Sequence, residues 1–83
     1  MLPFPFNIEV RYSDGGFLLA GIDEFSYYSE RGKMIFKYRL FQENKWIDLD
    51  RDGVEIYRIR VSFIHNGHTI YDWKSEECKR DEW

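Results

Sequence analysis

The chain has 83 residues, 43% hydrophobic and 19% aromatic, with 33% charged residues and a formal net charge of −3. Such a chain makes one domain, residues 1–83, and its rings, burying about 150–250 Å² each, are enough to build a core and exclude a disordered chain. The lone Cys78 excludes an internal disulfide framework and points to a reducing, cytoplasmic setting.

The opening MLPFPFNIEV has no basic start and meets two prolines, so it reads as neither a signal peptide nor a membrane span, and no apolar run elsewhere approaches ~18 residues. Phe6, Ile8, Val10 and Tyr12 then alternate with polar residues, the period of a half-buried strand. Ser13-Asp14-Gly15-Gly16 supplies turn chemistry, and Phe17 to Ile22 returns as the second strand of a hairpin. Phe25 to Ser29 and Lys33 to Phe41 form a second hairpin around Ser29-Glu30-Arg31-Gly32, with the glycine at a bulge position. Residues 42–53 form an acidic connection holding a short extended piece at Trp46–Leu49. Val54 to Ile64 is the longest strand, Asn66-Gly67 is the strongest two-residue turn signal, and Thr69 to Trp73 returns from it. Ser75 followed by Glu76 and Glu77 predicts a helix start and one or two closing turns. The expectation is an all-β antiparallel meander of five to six strands, curled or closed into a small barrel, with a short C-terminal helical turn.

Three local patterns invite a chemical reading, and each has a plainer one. DLDRDG, residues 48–53, places Asp48, Asp50, Asp52 and Gly53 as in a calcium loop. The position that needs a bidentate glutamate is Ile59, and Arg51 sits where a cation would go, so an acidic bend is expected. His65 and His68 flank the turn dipeptide and would face each other in a two-residue hairpin loop, but the sequence supplies no definite further ligand, so no metal site is assigned. Cys78 stands among charges of both signs, not the positive surroundings of a reactive thiolate. With no phosphate loop, nucleophile elbow or CxxC, the chain does not read as an enzyme, and no cofactor is expected.

Charge is segregated. Residues 33–47 carry +3 and 58–74 carry +2, while 23–32, 48–57 and 75–83 carry −2, −3 and −2. Acid thus lies mostly in turns and base in strands. With Asn66-Gly67 as a two-residue loop, 60 pairs with 73 and 62 with 71. That register turns Tyr57, Ile59, Val61, Phe63 and Ile70 to the core, and Arg58, Arg60, Tyr71 and Trp73 outward. Lys37 and Arg39 lie opposite Met34, Phe36, Tyr38 and Leu40, and Arg11 takes the matching place in the first strand. If these strands share a sheet, one outer surface collects all five basic residues beside Tyr71 and Trp73.

Arginines and lysines coat many solvated sheets, yet Tyr, Trp and Arg also dominate protein-binding hot spots. The expected function is a non-catalytic inhibitor, immunity-type or adaptor protein that docks on a protein. Its contact is either the basic-aromatic face (Arg58, Arg60, Tyr71, Trp73, Lys37, Arg39) or acidic segments including Asp48, Asp50 and Asp52. The alternative is a single-stranded nucleic-acid binder using the same face, which an isoelectric point near 5.3 opposes at long range. A homodimer covering an exposed ring such as Trp46 is a third reading.

Overall fold

The computed structural model describes residues 5–40 and 43–81, with the side chains of Arg80 and Asp81 left undescribed. Phe41, the end of an expected strand, and Gln42 and Glu82, in expected acidic segments, lie outside them. The strands are β1 (Phe6–Tyr12), β2 (Phe17–Ile22), β3 (Glu24–Glu30), β4 (Lys33–Arg39), β5 (Trp46–Asp48), β6 (Ile56–Phe63) and β7 (Thr69–Lys74), followed by the helix α1 (Glu76–Asp81). The fold is all-β as expected. It is built as two antiparallel sheets, β2-β1-β6-β7 (sheet A) and β3-β4-β5 (sheet B), with no closed barrel. Neighbours follow chain order except at one place, where β6 returns from sheet B to lie beside β1.

The alternation in the sequence explains the packing. Ile8, Val10, Ile59 and Val61, all at most 1% exposed, form the inner rows of sheet A, and Phe36 and Leu49 come to the same core from the other sheet. Rings knit the two layers together: Phe36 against Trp73 at 5.0 Å, Tyr27 against Tyr71 at 4.6 Å and Phe25 against Tyr71 at 5.2 Å between centroids. Pairs at these separations add about 0.5–1.5 kcal/mol beyond the area they bury. A single residue, Asp23, separates β2 from β3, so the chain passes from one sheet to the other with no loop between them. Its N–H donates to the Arg39 carbonyl at 2.9 Å, fastening the corner.

The acidic segment 48–53 folds as the bend expected of it. Val54 N–H donates to the Arg51 carbonyl, and Gly53 takes φ +75 at the third turn position, where type II turns favour glycine. What the sequence did not signal is how firmly this bend is pinned. Leu49 is 2% exposed, its carbonyl accepts the Tyr12 hydroxyl at 2.8 Å, and the Arg51 guanidinium lies 4.3 Å from the Tyr12 ring centre. Burial raises the Tyr12 pKa above its ordinary value, despite the neighbouring Arg51 cation.

The closing helix begins as Ser75 predicts. Its Oγ accepts the Cys78 N–H at 3.1 Å, an N-cap bond, and Cys78 is buried at 2% exposure. Tyr57, expected in the core, is instead the extra residue of a bulge in β6, because Arg11 pairs with Arg58 while Tyr12 pairs with Ile56. Its carbonyl accepts the Ser75 N–H, and its hydroxyl lies 3.4 Å from Glu77. The bulge thereby docks the helix. No helix among the described residues is long and apolar enough to cross a membrane.

Candidate functional site

The last hairpin departs from the expected register, and that decides which residues meet. Ile59 pairs with Trp73, Val61 with Tyr71 and Arg60 with Asp72. Phe63 and His68 close a four-residue loop, with Gly67 N–H donating to the Phe63 carbonyl and Asn66 Oδ1 accepting the His68 N–H. A type I′ turn needs positive φ at both central residues, and here only Gly67 has it. Lengthening the loop from two residues to four shifts the register by two and leaves the faces as expected. The inversion comes from a bulge at Ile70, which sits between the pairs Ser62–Thr69 and Val61–Tyr71. One extra residue turns every later side chain to the other face.

Tyr71 and Trp73 therefore belong to the inner face, packed on rings of sheet B, and Ile70, expected inside, is 46% exposed. Burial raises the Tyr71 pKa, in keeping with its inward place. Arg58 and Arg60 do lie on the outer face of sheet A, in rows with Arg11, Lys74, Glu9 and Asp72. Arg58 is held by two hydrogen bonds to Asp72, from Nε at 2.9 Å and from a terminal nitrogen at 2.7 Å. Arg60 Nε is buried with no hydrogen-bond partner among the described residues. The expected single basic-aromatic surface is not formed. Its rings are turned inward, and Lys37 and Arg39 belong to the other sheet.

The Arg58 hydrogen bonds hold the Asp72 carboxyl below its ordinary pKa. A carboxylate depressed on folding contributes stability that is fully present above its unfolded pKa and lost as pH falls through the folded one. The wild-type chain should thus lose stability from about pH 4 downward, with Asp72→Asn costing about 1 kcal/mol at neutral pH, given the partial exposure, and flattening that acid limb. Urea melts between neutral pH and the acid range check it: parallel acid limbs in the two proteins would be the contrary result.

The outer face of sheet B gathers more of the residues expected to bind. Its rows read Glu24–Arg39–Trp46, Ser26–Lys37–Asp48 and Tyr28–Ile35, with Glu30–Lys33 at the end. Arg39 bonds Glu24, Lys37 lies 3.5 Å from Asp48, and Lys33 lies 3.5 Å from Asp50. The Lys37 pKa is raised above its ordinary value, first by the Asp48 charge and then by Tyr28, whose ring centre lies 6.0 Å from the ammonium. Trp46 is 44% exposed and Tyr28 42%. Lys37, Arg39, Trp46, Asp48 and Asp50 are thus brought together, and Asp52 stands exposed at the tip of the adjoining turn. Sequence reasoning missed Tyr28 and Glu24. The register signal was there: with Arg31-Gly32 as the two-residue loop, Tyr28 falls opposite Ile35 and Glu24 opposite Arg39.

The three aspartates do not converge as calcium ligands would. Asp48 and Asp50 are drawn to different lysines, and among the described residues no group of three or more His, Cys, Asp or Glu could hold a metal ion. His65, in the longer loop, and His68, which closes it, are both exposed and do not pair across a two-residue turn. An open groove of about 700 Å³ beside this turn is lined by Asp50, Asp52, Lys33 and Arg51 on its polar side and by Phe36 and Trp73 on its apolar side. No family model, curated protein or solved structure matches the chain.

Proposed function

We propose that the protein is a small non-catalytic binding protein of the cytoplasm, of inhibitor, immunity or adaptor type, and that it docks on a protein partner through the outer face of sheet B. The observation that carries this reading is the exposure of Trp46 on a row with Arg39, with Lys37 on the neighbouring strand and Tyr28 on the strand beyond it. Trp, Tyr and Arg are the residue types that anchor protein interfaces, and a tryptophan left nearly half exposed contributes less to its own core than it could contribute to another surface. The ion pairs around it neutralise one another locally, which suits a polar rim around an aromatic anchor. The complementary surface is an apolar pocket bordered by charges of both signs.

The test is affinity capture from the native host with the wild-type chain and with Trp46→Ala combined with Arg39→Glu. The variant should stay folded with a modestly lowered melting temperature, since it gives up the Arg39–Glu24 ion pair and a half-exposed ring but no fully buried side chain. It should lose the captured partner, with binding weakened about 100-fold for two hot-spot residues. Undiminished capture by the variant would remove this face from consideration. The nucleic-acid alternative keeps Arg58 and Arg60 on the outer face of sheet A but has Lys37 and Arg39 on the other sheet and its stacking rings turned inward. Salt-sensitive oligonucleotide binding, abolished by Arg58→Glu with Arg60→Glu, would restore it.

A further inference from the structure

The edge strand β2 differs from the other sheet edges. Phe17–Ile22 reads FLLAGI and carries no charge, whereas β7 has Asp72 and Lys74, β3 has Glu24 and Glu30, and β5 has Asp48. Proteins normally guard exposed edges with charge, proline or a bulge, because an unguarded edge is a template for another strand. Phe17 and Leu19 also stand 67% and 60% exposed on the outer face, the two most exposed large apolar side chains among the described residues.

The backbone of this edge can be assigned. Tyr12 N–H donates to the Gly16 carbonyl, and the β1–β2 register continues without a break to Phe6–Ile22. Antiparallel pairs alternate between exchanging hydrogen bonds and not doing so. Leu18, Ala20 and Ile22 therefore bond to β1, and Phe17, Leu19 and Gly21 direct their N–H and C=O groups away from the sheet.

We infer that β2 pairs with β2 of a second copy of this chain, antiparallel about a two-fold axis at Leu19. This register joins every outward backbone group of the strand to its counterpart: Leu19 to Leu19, and Phe17 to Gly21 in both directions. The side chains fit the same operation. Each Phe17 ring falls on the bare Gly21 across from it, the arrangement by which an aromatic covers a strand glycine. On the inner face the bulky Leu18 meets the small Ala20. An uncharged edge whose large residues fall opposite its own small ones is complementary to itself, and it offers nothing to select a charged partner strand. The dimer joins two four-stranded sheets into one of eight and leaves both sheet B faces uncovered. The inference uses a different surface from the proposed docking face, so either can fail without the other.

Sedimentation equilibrium across micromolar to high-micromolar concentrations should show wild-type protein at twice its 10.2 kDa chain mass. Leu19→Lys should remain monomeric with an unchanged circular dichroism spectrum, since its side chain is solvated in the single chain. Residues in a hydrogen-bonded antiparallel pair have Cα atoms about 5.5 Å apart, within disulfide reach. Leu19→Cys should therefore oxidise to a covalent dimer, and Phe17→Cys, two rows from the axis, should not. The native Cys78 is buried and does not compete. A wild-type monomer throughout the range overturns the inference, even if a strand from some other protein later proves to occupy this edge. So does a dimer that survives Leu19→Lys, or Phe17→Cys cross-linking as readily as Leu19→Cys.

Discussion

Trp73→Ala is expected to cost about 3 kcal/mol, the low end of the range for deleting a large core ring, because Trp73 packs against the core but is only partly buried. A domain of this size has only about 4–12 kcal/mol in all, so the variant should show a much lower urea midpoint and a substantial unfolded fraction on warming. Trp73 stands opposite Ile59, which is fully buried, and its ring meets Phe36 of the other sheet at 5.0 Å. Removing it opens a void between the layers that neither sheet can fill without shifting. Ile70→Ser, three residues away, should move stability by less than about 1 kcal/mol, because that side chain is 46% exposed. In the expected two-residue-loop register the two effects would be reversed. Equal losses, or a larger loss at Ile70, would mean that the bulge is not where the structure places it.

Leu49→Ala should cost about 3 kcal/mol, although the residue lies next to a turn of solvated aspartates. Leu49 carries the loop's only fully buried side chain, and its backbone holds the segment by two further bonds: its N–H to the Phe36 carbonyl and its carbonyl to the Tyr12 hydroxyl. Tyr12→Phe, which removes one of these, should cost about 1 kcal/mol. The two substitutions touch one contact, so their sum should exceed the loss in the double variant by about 0.5 kcal/mol or more. Denaturant titrations of the four proteins check this. Strict additivity would mean that the hydroxyl bond and the leucine packing hold the loop independently.

The strands were legible because alternation is a local signal. Phe6 to Tyr12 and Met34 to Leu40 each declare which of their residues face inward, and the structure agrees. In the run through Val61 it agrees at Ile59 and Val61, but Tyr57 falls in a bulge and Phe63 is 39% exposed. Ser75 likewise announced the helix through one hydroxyl. What failed was information that no short segment carries. Alternation says which residues share a face of their own strand, but not which strand comes next, so whether Lys37 and Arg39 join Arg58 hangs on a shared sheet, and they lie on the opposite layer. Ile70 has no feature that marks it as a bulge, since an isoleucine in sequence reads as core. Turn propensity misled in the same way. Left-handed backbone at two successive residues, expected at Asn66-Gly67, occurs at Arg31-Gly32, with φ of 53° and 77°. There the long pairing from Glu24–Arg39 to Glu30–Lys33 imposes a two-residue loop and outweighs the cost at Arg31. Half of the expected contact residues still meet, because Lys37, Arg39, Trp46, Asp48 and Asp50 lie on neighbouring strands of one hairpin and its continuation. Tyr71 and Trp73 depended on the register beyond the bulge and were lost with it.

The absence of a loop at Asp23 has a mechanical consequence. With one residue as the crease, β2 and β3 are in effect a single length of extended chain folded across a corner. Neither layer can slide by a residue without dragging the other's ladder out of step. A slip that would be local in a looser protein must here propagate through both hairpins, so the two halves should melt together as one unit instead of peeling apart.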